Sequence, residues 1–143
     1  MGTVRHILQK KGNSVFAVAP TSTVYSALEL MVERDVGSLL VTEDGRFAGI
    51  FTERDYARKV ILKGKSSRET LIRDIMSEHP VTVTQDTTVE ACMSLMTRRY
   101  IRHLPVVEED RLVGLVSIGD IVKYIIEEQK FIIENLEHYI TGH

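Results

Sequence analysis

The sequence predicts an α+β fold of α/β character: two β-α-β-β-α halves, related by a pseudo-twofold axis and packed through their sheets. Two observations predict it. The first is a duplication at a constant offset of sixty-five positions. Thr23-Val24-Tyr25-Ser26-Ala27-Leu28-Glu29-Leu30-Met31 lines up with Thr88-Val89-Glu90-Ala91-Cys92-Met93-Ser94-Leu95-Met96, and Gly49-Ile50-Phe51-Thr52-Glu53-Arg54-Asp55 with Gly114-Leu115-Val116-Ser117-Ile118-Gly119-Asp120, with no gap between the blocks. The second is that each copy runs through the same succession of strand-like and helix-like patterns. Two copies are too few for a solenoid. Two similar halves packed face to face leave two related clefts at their junction, where function is sought.

The elements follow in order. A short strand (Ser14 to Val18; Val81 to Thr84) leads to a polar turn, Thr21-Ser22-Thr23 or Asp86-Thr87-Thr88, that supplies helix N-caps. Val24, Ala27, Leu28, Met31 and Val32 then fall at helical spacing, as do Val89, Cys92, Met93 and Met96. A β-rich run (Val36 to Thr42; Ile101 to Val107) is joined to a second strand (Phe47 to Phe51; Leu112 to Val116). The hairpin signal between them is strong at Asp44-Gly45 and weaker at Glu109-Asp110. A second helix starts at Thr52 or Ser117. Ile72-Arg73-Asp74-Ile75-Met76 echoes Val4-Arg5-His6-Ile7-Leu8, so a lead-in segment is duplicated too. The expected divisions are 1–65 (first domain with its lead-in), 66–128 (second domain) and 129–143 (a C-terminal helical extension). In the extension Ile133, Leu136 and Ile140 prolong an apolar stripe begun by Val122, Ile125 and Ile126, which points either to packing on its own core or to self-association.

Composition narrows the function. At 143 residues and 43% apolar content the chain can bury one substantial core. A net charge of −2 makes nucleic acid an unexpected partner. The lone Cys92 forms no internal disulfide and lies on an apolar helical face, which points to a packed thiol in a reducing, cytoplasmic setting. No apolar run is long enough for a membrane span or a signal peptide, so no membrane partner is expected.

Chemistry is carried by the repeated signature Gly, two apolar residues, Ser or Thr, two variable residues, Asp. It has two readings. As a capping box with Asp at N3, Thr52–Asp55 and Ser117–Asp120 simply start helices. As a ligand site, a helix start bordering a cleft offers free N–H groups to phosphate, and its carboxylate can accept both hydroxyls of a ribose. Gly49 and Gly114, late in a strand, favour close approach of a backbone or a ligand there. Arg98, Arg99, Arg102 and His103 form a basic cluster, either a solvated patch or a phosphate holder. The matching positions of the first copy include Gly37 and Ser38, so the clefts differ in charge.

These motifs, with the duplicated element order and His103-Leu104-Pro105-Val106-Val107, resemble the cystathionine-β-synthase (CBS) domain family. A tandem pair of such domains is called a Bateman module, and the likeness runs from about Val4 to Ile126. The resemblance implies regulatory binding of adenosyl ligands (AMP, ADP, ATP, S-adenosylmethionine or NAD(H)) in clefts between the copies, with no catalytic cofactor. It implies one cleft of Thr52, Arg54 and Asp55 with Val81, Ile101, Arg102 and His103. The other would be Ser117 and Asp120 with Phe16, Val36, Gly37 and Ser38, His103 reaching its phosphate. It also implies homodimerisation, and output through an unknown effector protein. The competing expectation is a structural dimerisation or scaffold protein with vestigial clefts. An enzyme is not expected, since Cys-x-x-Cys, His-Glu-x-x-His, a Walker loop and a dinucleotide fingerprint are all missing, and the five histidines lack metal-ligand spacing.

Overall fold

The computed structural model describes residues 2–141; Met1 and the last two positions of the extension expected over 129–143, including His143, lie outside the described residues. The first copy comprises α1 (Val4–Lys11), β1 (Ala17–Val18), α2 (Val24–Arg34), β2 (Ser38–Glu43) and β3 (Arg46–Thr52). There follow α3 (Glu53–Asp55), which passes into a π-helical turn (Tyr56–Val60), and a 3₁₀ turn (Ile61–Lys63). The second comprises α4 (Ile72–Ile75), β4 (Ser77–Glu78), α5 (Val89–Arg99), β5 (His103–Glu108), β6 (Arg111–Ser117) and α6 (Ile118–Thr141).

The offset holds down to single hydrogen bonds. Thr23 and Thr88 each accept from the amide three residues on, at 3.1 Å, and so cap α2 and α5. β2 and β3 pair antiparallel with a register shift after Val41, and β5 and β6 do so with a shift after Val106. The strand expected over Val81 to Thr84 shrinks to one bridge, Val83 to Val106, where its counterpart β1 keeps two pairs. The two hairpins meet at Arg46 and Arg111, giving the sheet order β1-β2-β3-β6-β5. Both hairpin turns place two residues at positive φ: Asp44 and Gly45 (52° and 78°), and Glu109 and Asp110 (50° and 65°). The second turn adopts this left-handed geometry with no glycine to ease it.

The lead-in helices are exchanged between the halves. In α1, the amides of Val4 and Arg5 donate to the carbonyls of Thr87 and Gln85 (2.9 Å each), in front of α5. In α4, the amides of Ile72 and Arg73 donate to Ser22 and Pro20 (2.8 and 2.9 Å), in front of α2. Val4, Ile7 and Leu8 accordingly pack with Val89, Cys92, Met96, Leu104, Val116 and Ile121. Ile72 and Ile75 pack with Val24, Ala27, Met31, Leu39, Phe51 and Val60. Cys92 is a packed core thiol, and burial pushes its pKa up to about 11. The stretch of sequence that opens the first copy thus closes the second core, and the reverse.

This exchange explains the two strand glycines, and not through a ligand. β4, absent from the sequence expectation, runs beside β3, with Gly49 opposite Glu78 and Ile50 opposite Ser77. A Cβ on Gly49 would lie 2.7 Å from the Ser77 carbonyl oxygen. A Cβ on Gly114 would lie 2.9 Å from the Leu8 side chain of α1. Close approach is real at both positions, but what approaches is the exchanged segment.

Gly49→Ala must displace backbone, so it should destabilise by about 1–3 kcal/mol in urea unfolding, and by more than Gly114→Ala, which meets a side chain. Asp110→Gly should relieve the second turn and stabilise by about 0.5–1 kcal/mol in the same assay.

Candidate ligand-binding site

Each half holds its hydroxyl–carboxylate pair at the end of the second hairpin strand, where strand passes into helix. The capping-box reading is realised at both. Asp55 Oδ2 accepts from the Thr52 amide (3.0 Å) and hydroxyl (3.1 Å), and Thr52 Oγ1 accepts from the Asp55 amide (3.1 Å). Asp120 Oδ2 accepts from the Ser117 amide (2.8 Å), and Ser117 Oγ accepts from the Asp120 amide (3.1 Å). The ligand reading therefore has to work on carboxylates already positioned by their own helix starts.

The carboxylates differ in what else holds them. Asp55 is buried, and its Oδ1 meets Ser77 Oγ at 3.3 Å and Lys59 Nζ at 3.2 Å. Every tie to Asp55 comes from the first copy or from β4. The Asp120 side chain is 21% exposed, and its further partner is Lys11, whose ammonium lies 2.7 Å from Oδ2 and 2.9 Å from the Leu115 carbonyl. Lys11 arrives on the exchanged helix α1. Burial alone would raise the Asp120 carboxyl, but the hydrogen bonds from Lys11 and Ser117 outweigh it and hold the group below its ordinary value. A small cavity of ≈ 110 Å³ opens beside this pair, lined by Ile7, Lys10, Lys11, Asp120, Lys123, Tyr124 and Glu127.

The strand residues join these helix starts first within their own half. Ser38, buried, stands opposite Thr52, and His103 opposite Ser117. The Gly37 carbonyl accepts from the Glu53 amide (3.1 Å), as the Arg102 carbonyl does from the Ile118 amide (2.9 Å). Between the halves, Arg54 donates to the carbonyl of Tyr100 at 3.2 Å, which sets the first helix start beside Ile101 and Arg102. Gly119, the counterpart of Arg54, has no side chain to repeat this. Among the described residues no hydrogen bond joins Ser117 or Asp120 to Phe16, Val36, Gly37 or Ser38. Phe16 instead lies under the Arg34 guanidinium, 5.1 Å from its ring centre. Val36 rests on the first core, and Val81 and Ile101 rest on the second.

His103 is where the two halves meet electrostatically. Burial lowers its pKa; Asp120 opposes this, Lys11 and Arg102 reinforce it, and Glu53 of the first helix start opposes it again. Of the basic cluster, Arg98 and Arg99 close the last turn of α5 in solvent, where they suit the negative end of the helix dipole. Sequence reasoning missed Lys11, Lys59, Ser77 and the Tyr100 carbonyl. The echo of α1 in α4 was the available signal for Lys11, but it does not say which core each lead-in enters. Among the described residues no three His, Cys, Asp or Glu side chains gather closely enough to hold a metal ion.

The site sits in a recognisable frame. A protein-family model for the CBS domain matches twice, at residues 4–62 and 72–127. The CBS domain-containing protein CBSX3, mitochondrial, of Arabidopsis thaliana is 40% identical, over 98% of this chain and 72% of that protein. The structure of a protein with CBS domains from Burkholderia ambifaria is 44% identical with a TM-score of 0.84, covering 89% of this chain and 96% of that one. The crystal structure of CBSX2 in complex with AMP is 27% identical with a TM-score of 0.75, covering 90% of this chain and 99% of that one.

The charges around His103 give a direct check by NMR titration. The ring should titrate below the ordinary value of about 6.5. Asp120→Asn, which removes an anion, should lower it further, and Lys11→Met, which removes a cation, should raise it. Because the native ring resists protonation, it contributes stability that is present at neutral pH and is lost as pH falls below about 6.5.

Proposed function

Since the chain belongs to the CBS-domain family and carries two of its domains in tandem, we propose that it is a non-enzymatic regulatory module that binds an adenine nucleotide or a related adenosyl compound between its halves. AMP, ADP and ATP head the ligand class, with NAD(H) and S-adenosylmethionine in the same class, and energy sensing is the role they imply. A homodimer and an effector protein complete the proposal. The cytoplasmic setting read from Cys92 stays part of it, beside the word mitochondrial in one relative's name. Among the described residues no helix is long and apolar enough to cross a membrane.

The observation that carries this reading is Asp120. It is a partly exposed carboxylate, pre-set at a helix start, next to a half-buried imidazole and the ammonium of Lys11. A ribose diol would replace Lys11 on the carboxylate, leaving that ammonium and His103 for phosphate. The ≈ 110 Å³ cavity beside Asp120 is lined from α1 and α6 alone and is smaller than the roughly 300 Å³ or more of ordinary ligand pockets, so it is not itself the proposed cleft. In this proposal the second cleft groups Ser117, Asp120 and His103 with Phe16, Val36, Gly37 and Ser38. The first groups Thr52, Arg54 and Asp55 with Val81, Ile101, Arg102 and His103, supported by the Arg54 contact to Tyr100. One observation favours the scaffold alternative for the first cleft, namely that both Asp55 oxygens are already engaged. The clefts are therefore proposed to be unequal, the second binding more tightly.

Calorimetry with AMP and ATP tests this. Asp120→Ala, losing two charge-assisted hydrogen bonds of about 1.5–3 kcal/mol each, should weaken the tighter site by at least about tenfold, and Asp55→Ala should affect only the weaker one. Undiminished affinity in the double variant would refute the assigned sites, and a flat thermal-shift response to every adenosyl compound would favour the scaffold.

A further inference from the structure

The cavity of ≈ 110 Å³ outside the proposed clefts has a chemistry of its own. Lys10 and Lys11 line it from α1, and Asp120, Lys123 and Glu127 line it from α6. Three ammonium groups against two carboxylates leave these walls net positive, in a chain whose net charge is −2. A water occupies roughly 30 Å³ of liquid, so the space admits about four oxygens. That is too little for a nucleoside and enough for one tetrahedral oxyanion.

Two of the ammonium groups have partners, Lys10 on Glu127 at 3.2 Å and Lys11 on Asp120 at 2.7 Å. Their place in the last turn of α1 also suits the negative end of its helix dipole. Lys123 has neither reason to be there. It stands in the second turn of α6, toward the positive end of that helix, and makes no ion pair among the described residues. Glu127, four residues on and its natural helical neighbour, is turned to Lys10 instead. The first half does not repeat the arrangement. The echo of α1 continues past α4 to put Glu78 and His79 where Lys10 and Lys11 stand, and Leu62 is the counterpart of Glu127. Duplication alone therefore does not account for the lysines.

We propose that this cavity binds a small tetrahedral oxyanion, of which inorganic phosphate is the simplest, on the ammonium groups of Lys10, Lys11 and Lys123. Lysine serves as a compact point charge with three donors on a flexible stem, so each ammonium can turn from its carboxylate to the anion. Glu127, partly exposed, returns to water when Lys10 turns, and Asp120 is left without Lys11. A coupling follows, which rests on Asp120 being the ribose site. The tie between Lys11 and Asp120 is broken once and serves both ligands, so phosphate and nucleoside each raise the other's affinity by the same factor. His103 does not line the cavity, so this anion is distinct from the phosphate of a nucleotide held beside that ring.

Titration with inorganic phosphate, followed by calorimetry and amide NMR against chloride at equal ionic strength, tests the proposal. The wild-type chain should show saturable shifts centred on Lys10, Lys11 and Lys123 that chloride does not produce. Lys123→Met, at an exposed position, should weaken phosphate binding by about tenfold and leave adenosine binding in phosphate-free buffer unchanged. Asp120→Asn separates this site from the proposed function. It should weaken adenosine binding but strengthen phosphate binding, because it frees Lys11 and removes a negative charge from the wall. A response matched by chloride would overturn the site, as would a phosphate affinity indifferent to Lys123→Met or lowered by Asp120→Asn. Competition between phosphate and AMP would make the cavity the nucleotide's own phosphate position and overturn a separate site. If phosphate behaves as expected and adenosine fails to bind, the anion site stands and the coupling falls.

Discussion

Reciprocal exchange of α1 and α4 is the constraint on which the rest of the molecule depends. Each half lacks part of its own core: the second is completed by Val4, Ile7 and Leu8, and the first by Ile72 and Ile75. The backbone bonds that dock the two helices are equivalent, Val4 to Thr87 matching Ile72 to Ser22. Neither half can bury its helix–sheet interface alone, because burial of apolar area is the main favourable term and here it is shared. The halves are joined far more firmly than the single hairpin-to-hairpin pair at Arg46 and Arg111 would manage. β4, carried along behind α4, adds a strand to the first sheet and demands Gly49.

The same exchange makes the two helix starts chemically different. By bringing α1 to the second half, it delivers Lys11 to Asp120. By bringing α4 and β4 to the first, it delivers Ser77 to Asp55. One carboxylate is sealed among neutral and cationic donors, the other faces a small cavity shared with Lys10, Lys11, Lys123 and Glu127. Duplication set up two equal helix starts, and the differing residues brought to them by the lead-ins made them unequal.

Much of this was legible in the sequence, because it is local. N-caps at Thr23 and Thr88, the paired hairpins and the helix starts at Thr52 and Ser117 all follow from short-range patterns repeated in register. What could not be read is what depends on distant backbone. β4 is two residues long and owes its existence to the approach of Gly49, which no periodicity records. The glycines do mark close approach, but a one-dimensional pattern cannot name the approaching group. Lys11 is an ordinary basic residue in the last turn of a helix until the exchange sets it beside Asp120. The first-half helix also departs from its twin: after Asp55 it widens into a π turn and stops at Gly64, while α6 runs on regularly. Nothing in the structure gives a reason for that widening.

With Asp120 as the proposed ribose site, the tie between Lys11 and Asp120 would act as a latch with a set point. Any molecule that claims the carboxylate competes with an ammonium already 2.7 Å away, so its apparent affinity is its intrinsic affinity scaled by the fraction of time the latch stands open. A weaker latch would answer to scarcer molecules and a stronger one only to abundance. In the proposed function, one residue on a helix borrowed from the other half would thus set the concentration at which that cleft begins to fill.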